Sequence, residues 1–189
     1  MLQDTTTTKN NYDFLSTTNS GDSYYTPSWC YEGLSDFIDF SQYKTAFDPS
    51  MGDGRLIFDY LEAKHDIACD GRDLAWKVET QEKDEDFFEW DGYADLIISN
   101  PPFSKAQQFI EHAIPRCDTL IFLLRLNFLG SQKRNAMWNA NKPDKLIVLS
   151  KRPSFNGKGT DSCDYAWFVW QNGEKRIQSG IDWMLPTNK

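Results

Sequence analysis

Apolar side chains recur along this chain in two rhythms. From Trp29 to Ile38 they fall at helical spacing, with Trp29, Leu34, Phe37 and Ile38 on one face. Thr26 is a capping residue type and Pro27 suits a first turn, so order is expected to begin near Tyr24 and a helix to follow. Short apolar runs then alternate with helical stretches. Residues 44–47 read as a strand that ends at Asp48, and 54–64 as a helix with Leu56, Ile57, Tyr60 and Leu61 inward. A second strand spans 65–70, and a third, Asp95 to Ser99, stops at Asn100. Ser104 to Ile114 is expected as a helix, Leu120 to Leu124 as a buried strand and Gln132 to Trp138 as a helix. Leu146 to Leu149 and the aromatic-rich Tyr165 to Trp170 complete the strands. This alternation predicts an α/β fold with a mostly parallel sheet covered on both faces.

Composition narrows the class. The chain has 189 residues, 40% of them hydrophobic and 25% charged, which suits one domain with a real core and excludes a wholly disordered or collagen-like chain. The longest apolar run lies near Leu120–Leu124, too short to cross a bilayer, so no membrane partner is expected. Residues 1–23 are rich in Thr, Asn, Ser and Asp and read as a flexible arm; no basic start leads into an apolar stretch, so a secretory signal is not expected. Cys30, Cys69, Cys117 and Cys163 form no C-x-x-C pair, which points to reduced thiols in a cytoplasmic compartment and to no zinc or other metal. The formal charge of −8 means that any nucleic-acid contact must come from a local basic region.

Two places carry candidate chemistry. The first is Asp48-Pro49-Ser50-Met51-Gly52-Asp53-Gly54, which follows a strand and opens a helix. Glycines there let backbone amides approach a ligand, and the helix start favours an anionic group. A plain strand-to-helix turn would look the same, and the third glycine of the dinucleotide fingerprint is replaced by Ile57. No Gly-Lys-Ser/Thr follows, which excludes a Walker loop. Asp70 ends the second strand 18 residues after Gly52, where an acid commonly accepts from ribose hydroxyls. Together these features indicate a nucleoside-containing cofactor without saying which.

The second place is Asn100-Pro101-Pro102-Phe103. Two prolines make a stiff corner after a buried strand. The Asn100 amide oxygen and the Pro101 carbonyl then offer two acceptors to one point, with the Phe103 ring beside them. That set suits a planar ring bearing an exocyclic amine. A proline-stiffened loop with Phe103 in the core is the plainer reading; the position at the carboxyl end of a strand, where α/β sheets bind ligands, favours a site.

The glycine turn followed by Asn100-Pro101-Pro102-Phe103 resembles the S-adenosylmethionine-dependent DNA adenine-N6 methyltransferases, particularly small phage-type ones, over roughly Tyr24 to Trp170. The resemblance implies a single-domain, Rossmann-like class I methyltransferase fold over 24–189 with a seven-stranded, mostly parallel sheet. It implies that Tyr25, Thr26 and Pro27 close over the methionine part of the cofactor, and that Asp48, Pro49, Ser50, Gly52 and Gly54 hold it. Asp70 would take the ribose hydroxyls, with a slip to Asp73 as the alternative. Asp86 would accept from the cofactor's adenine amine and Phe87 pack on its ring, although six acids between Glu82 and Asp91 also make a solvated acidic face. Asn100, Pro101, Pro102 and Phe103 would be catalytic, with Asn100 also touching the cofactor.

The implied chemistry is direct attack of the amine on the sulfonium methyl, with no metal and no cysteine nucleophile. A duplex adenine must leave its stack to reach such a site. Larger relatives carry a separate target-recognition domain, and only 19 residues follow Trp170, so specificity is expected to be weak, loop-based or supplied by a partner, and a homodimer could grip the duplex. The implied setting is a bacterial or phage-infected cytoplasm. Other acceptors with the same planar nitrogen are an RNA adenine or a protein glutamine amide; a non-catalytic cofactor or DNA-binding module is the remaining alternative.

DNA contacts are expected between Arg125 and Lys158, a stretch of net charge +7. The candidates are Arg125, Lys133, Arg134, Lys151, Arg152 and Lys158, with Phe155 on an open loop able to wedge a base step. An ordinary solvated basic loop is the alternative. Tyr165 could line the target pocket, though its aromatic strand favours the core. His65 and His112 stand apart from any nucleophile and give no hydrolase triad.

Overall fold

The computed structural model describes residues 26–52, 56–73, 86–155, 157, 159–174 and 176–186. Seven strands among them form one sheet: β1 (Thr45–Asp48), β2 (Ala68–Gly71), β3 (Ala94–Ser99), β4 (Cys117–Arg125), β5 (Lys145–Leu149), β6 (Tyr165–Gln171) and β7 (Gly180–Met184). The order is β2-β1-β3-β4-β6-β5-β7. β6 runs antiparallel to β4 and β5, and every other pairing is parallel. The α-helices are α1 (Trp29–Glu32), α2 (Leu56–His65), α3 (Ala106–Ala113) and α4 (Asn135–Ala140).

Alternation along the central strands builds two cores. Ile121 and Leu123 of β4, with Tyr165, Trp167 and Val169 of β6, face α1 and α2 through Tyr31, Ile57 and Leu61. Leu120, Phe122 and Leu124, with Ala166, Phe168 and Trp170, face α3 and α4 through Phe109, Ile110 and Met137. Both rows are buried, which is why β4 and β6 read as unbroken apolar runs instead of alternating ones. The Trp167 indole donates to the Cys30 carbonyl at 2.6 Å and ties α1 to the sheet. No helix among the described residues is long and apolar enough to cross a membrane.

The chain leaves β1 for β2 at the sheet's edge and returns to β3 on β1's other side. The carboxyl ends of β1 and β3 therefore diverge into a crevice, the position at which open α/β sheets take ligands. Gly71 sets how tightly β2 closes on β1. A Cβ there would stand 2.7 Å from the Asp48 carbonyl oxygen and 2.9 Å from the Phe58 ring.

Several elements differ from the sequence reading. The second strand is Ala68–Gly71 instead of 65–70, because His65 ends α2. The first helix is one α-turn followed by a 3-10 stretch, Gly33–Asp36, and Thr26 does not cap it: the residue before the helix is Ser28, whose side chain makes no capping bond. β4 is longer than its apolar centre because Cys117 and Thr119 are also buried. β7, the seventh strand the resemblance implies, has no counterpart in the hydrophobic pattern, since it buries only Met184 while Ile181 and Trp183 stay exposed on an edge strand.

Gly71→Ala is expected to lower stability by about 1–3 kcal/mol, because both neighbours of the new methyl are fixed. A urea denaturation midpoint, with two-state behaviour verified, measures it.

Candidate active site at the carboxyl ends of β1 and β3

Asp48 ends β1 at 4% exposure. Its carboxylate accepts from the Ser50 amide at 2.9 Å and from the Ser99 hydroxyl. Ser50 Oγ and Ser99 Oγ lie 2.7 Å apart, and the Ser50 hydroxyl also donates to the Asn100 carbonyl at 3.3 Å. Burial pushes the Asp48 carboxyl up to about 7 against the pull of Ser99 and the Ser50 amide, with the Asp73 charge adding to the rise.

Asn100 follows β3 directly. Its amide Nδ2 donates to Thr26 Oγ1 at 3.1 Å, which holds the 26–27 segment against the corner. Asn100 Oδ1 is buried and has no hydrogen-bond partner among the described residues. A buried acceptor left unpaired costs on the order of 1–3 kcal/mol, so its presence points to a donor that arrives with a ligand. Pro101 is buried, and the Pro102 carbonyl accepts from the Lys105 amide at 2.9 Å, starting the 3-10 turn Phe103–Lys105 that leads into α3.

The glycine turn stands beside this corner. Gly52 has φ +62°, a left-handed value that disfavours side-chain-bearing residues, and its amide donates to Asp73 Oδ2 at 2.9 Å. The Arg72 amide donates to the Asp48 carbonyl at 2.9 Å and the Met51 amide to the Arg72 carbonyl at 3.1 Å, locking the turn to the end of β2. Asp73 is thus part of the turn's frame, while Asp70 is exposed with one carboxylate oxygen accepting from the Gly71 amide. Arg72 also donates to the Asp86 carbonyl at 3.1 Å, which brings the acidic segment to the same rim. Asp86 Oδ1 caps the 3-10 turn Phe87–Glu89 through the Phe88 amide. Pro49 is buried beneath the crevice and Pro27 is half-buried near its mouth. Tyr25, Gly54 and Lys158 lie outside the described residues.

Two placements depart from the expected roles. Phe87 is 2% exposed and packed among Phe47, Phe109 and His112, so its ring has no open face for a cofactor. Phe155 was expected on an open loop; it is 6% exposed and packs on Phe103 and Tyr165.

The basic stretch is less available than its net charge implies. Arg125 pairs with Asp161 at 3.3 Å and Arg152 with Asp164 at 2.7 Å, both acids lying just beyond the basic stretch in sequence. Burial alone would raise the Asp161 carboxyl, but the Cys163 amide, the Tyr165 hydroxyl and Arg125 outweigh it and hold it low. Lys145 is buried against Asp182 and the Gln178 carbonyl. Arg134 lies over the Phe128 ring and donates to the Phe128 carbonyl at 2.9 Å. Lys133 and Lys151 are exposed, the latter 6.0 Å from the Trp29 ring.

No protein-family model and no curated protein sequence matches the chain. Solved structures do. A type I restriction-modification system methyltransferase subunit from Streptococcus thermophilus aligns over 86% of this chain and 47% of its own, at 14% identity and TM-score 0.57. A Listeria monocytogenes protein assigned as a class I S-adenosylmethionine-dependent methyltransferase aligns over 85% and 64%, at 15% identity and TM-score 0.57. A Pyrococcus horikoshii protein assigned as an RNA methyltransferase aligns over 79% and 86%, at 16% identity and TM-score 0.53. The chain has the Rossmann-like class I methyltransferase fold. It spans about half the length of the first of these structures and under two thirds of the second.

Asp48 makes stability depend on pH. Its native carboxyl titrates near 7 instead of the ordinary 3.8, so the native state holds a proton that the unfolded chain has lost. Stability from this group is full below the ordinary value and is lost as pH rises to about 7, by at most about 1.4 kcal/mol per pH unit. Asp48→Asn is expected to flatten that decline, as read from urea midpoints at intervals between acid and neutral pH.

Proposed function

We propose that this chain transfers a methyl group from S-adenosylmethionine to the exocyclic N6 amine of adenine in DNA. The observation that carries the reading is the buried Asn100 Oδ1 beside the β1/β3 crevice, which has no hydrogen-bond partner among the described residues. An acceptor fixed by Thr26 on one side and unused on the other suits an incoming amine N–H. The crevice also fits the cofactor's needs. Asp48, Pro49, Ser50 and the Gly52 turn would hold the methionine end, with Thr26 and Pro27 closing over it. Asp70 would meet the ribose, since Asp73 is engaged by the turn. The backbone near Asp86 would border the adenine end, with Phe87 supporting the wall from the core.

S-adenosylmethionine supplies a methyl already activated on a sulfonium, so no metal or covalent intermediate is required. The protein's share is alignment. Asn100 Oδ1 and the Pro101 carbonyl accept the two amine hydrogens, which turns the nitrogen lone pair toward the methyl and draws it out of conjugation. The proline pair holds both acceptors still. A cationic methionine ammonium beside Asp48 would favour its ionised form, so cofactor binding is expected to release a proton near neutrality.

A DNA acceptor is supported by the likeness to the restriction-modification methyltransferase subunit and by exposed Lys133 and Lys151. An RNA adenine is the second reading, favoured by the likeness to the Pyrococcus protein. The Asn100 corner serves both, because it addresses the amine and not the sugar.

Asn100→Ala is expected to lower methyl transfer by two orders of magnitude or more, with sinefungin affinity within about threefold. Transfer of labelled methyl to DNA, RNA and protein, followed by nucleoside analysis, measures this and names the acceptor. Near-normal turnover in the variant would overturn the mechanism. Lys133→Ala and Lys151→Ala are each expected to weaken DNA binding and reduce its log–log salt slope by about one unit. Arg152→Ala, already paired with Asp164, should change the slope less.

A further inference from the structure

Phe103 does not present a bare ring. The Arg125 guanidinium carbon stands over it, 4.5 Å from the ring centroid. Arg125 Nε donates to the Tyr165 hydroxyl at 2.9 Å, and one terminal nitrogen donates to Asp161 Oδ2 at 3.3 Å. Tyr165 donates to the same carboxylate oxygen at 2.9 Å, closing a three-membered network. Asp161 is fixed in turn: its Oδ1 accepts from the Cys163 amide and its own amide donates to the Pro153 carbonyl, both at 2.9 Å. Phe155 closes the underside, with ring centroids 6.3 Å from Phe103 and 5.1 Å from Tyr165. The end of β4, the start of β6 and the described residues between them thus converge on one guanidinium, which stands over the ring of Phe103, three residues from Asn100 along the chain.

A hydrophobic core has no need of this cation. Its charge is met by Asp161, which makes it a poor phosphate contact, yet its side chain remains 32% exposed. What the network preserves is the position of a plane: the guanidinium carbon stands over Phe103, and the nitrogens are held by Tyr165 and Asp161. A planar, delocalised guanidinium is a stacking surface for nucleobases, which a lysine ammonium is not.

We propose that the acceptor base stacks on the Arg125 guanidinium and not directly on Phe103, with Tyr165 and Asp161 as positioning residues that hold that plane. The inference rests on the methyl-transfer reading for the base being a purine. It makes Arg125 a residue of base recognition, not of phosphate attraction.

The test uses a single-stranded oligonucleotide with one 2-aminopurine, titrated with and without sinefungin at several salt concentrations. Arg125→Lys keeps the charge and loses the plane; Tyr165→Phe keeps the ring and loses the hydroxyl that orients it. Both are checked for folding by thermal midpoint and sinefungin affinity. Expected are fluorescence quenching with the unaltered protein, about tenfold weaker binding for Arg125→Lys with an unchanged salt slope, and a severalfold loss for Tyr165→Phe. Equal binding by Arg125→Lys, a loss that appears as a reduced salt slope, or no quenching by the unaltered protein would each overturn the proposal. Failure of the unaltered protein to bind sinefungin would instead sink the methyl-transfer reading, while the titration without sinefungin still decides the role of Arg125.

Discussion

Two parallel strands that end side by side leave their last polar groups with nowhere to pair except across the gap. At the ends of β1 and β3 the chain meets this constraint with Asp48, Ser50, Ser99 and Asn100, which satisfy one another through short side-chain and backbone bonds. The network is dry enough to raise the Asp48 carboxyl, and rigid because every member is bonded more than once or pinned by proline. One atom stays outside it, Asn100 Oδ1. Thr26 holds the other end of the same amide, and the close approach of β2 at Gly71 fixes the end of β1. An unpaired buried acceptor is costly, and a donor from a bound ligand would offset that cost.

Charge plays a different part from the one its totals suggest. An acidic chain with a basic stretch invites a picture of phosphate binding along that stretch. In the folded molecule Arg125 and Arg152 are paired with Asp161 and Asp164, brought there by the loop that precedes β6. Salt bridges at partly exposed positions contribute little stability, so their consequence here is geometric: they fix where the guanidinium groups lie. Lys133 and Lys151 stay exposed, while the Arg125 side chain is held over Phe103. Phe155 is drawn inward by the same arrangement, since the space beneath Phe103 and Tyr165 must be filled.

Much of the architecture was legible because it rests on local pattern. Strands buried on both faces announce themselves as apolar runs, and Asp48 and Asn100 could be placed at strand ends because a glycine turn and a proline pair stop the strands there. β7 was not legible, because an edge strand that buries one residue in five leaves almost no hydrophobic signature. Phe87 beside Asp86 looked like a ring for a cofactor, and nothing in a linear sequence says that Phe47, Phe109 and His112 will surround it.

The sequence by itself determined the order of elements, the turn chemistry and the residue types at the crevice, since those follow from dihedral preference and hydrophobic period over a few neighbouring positions. Tertiary structure alone decided which groups are spent and which remain: that Thr26 occupies one side of the Asn100 amide, that Asp73 belongs to the turn, and that Arg125 stands over Phe103. Those facts depend on contacts between segments about 20 to 75 residues apart, where hydrogen-bond geometry is fixed by packing and not by neighbours in the chain.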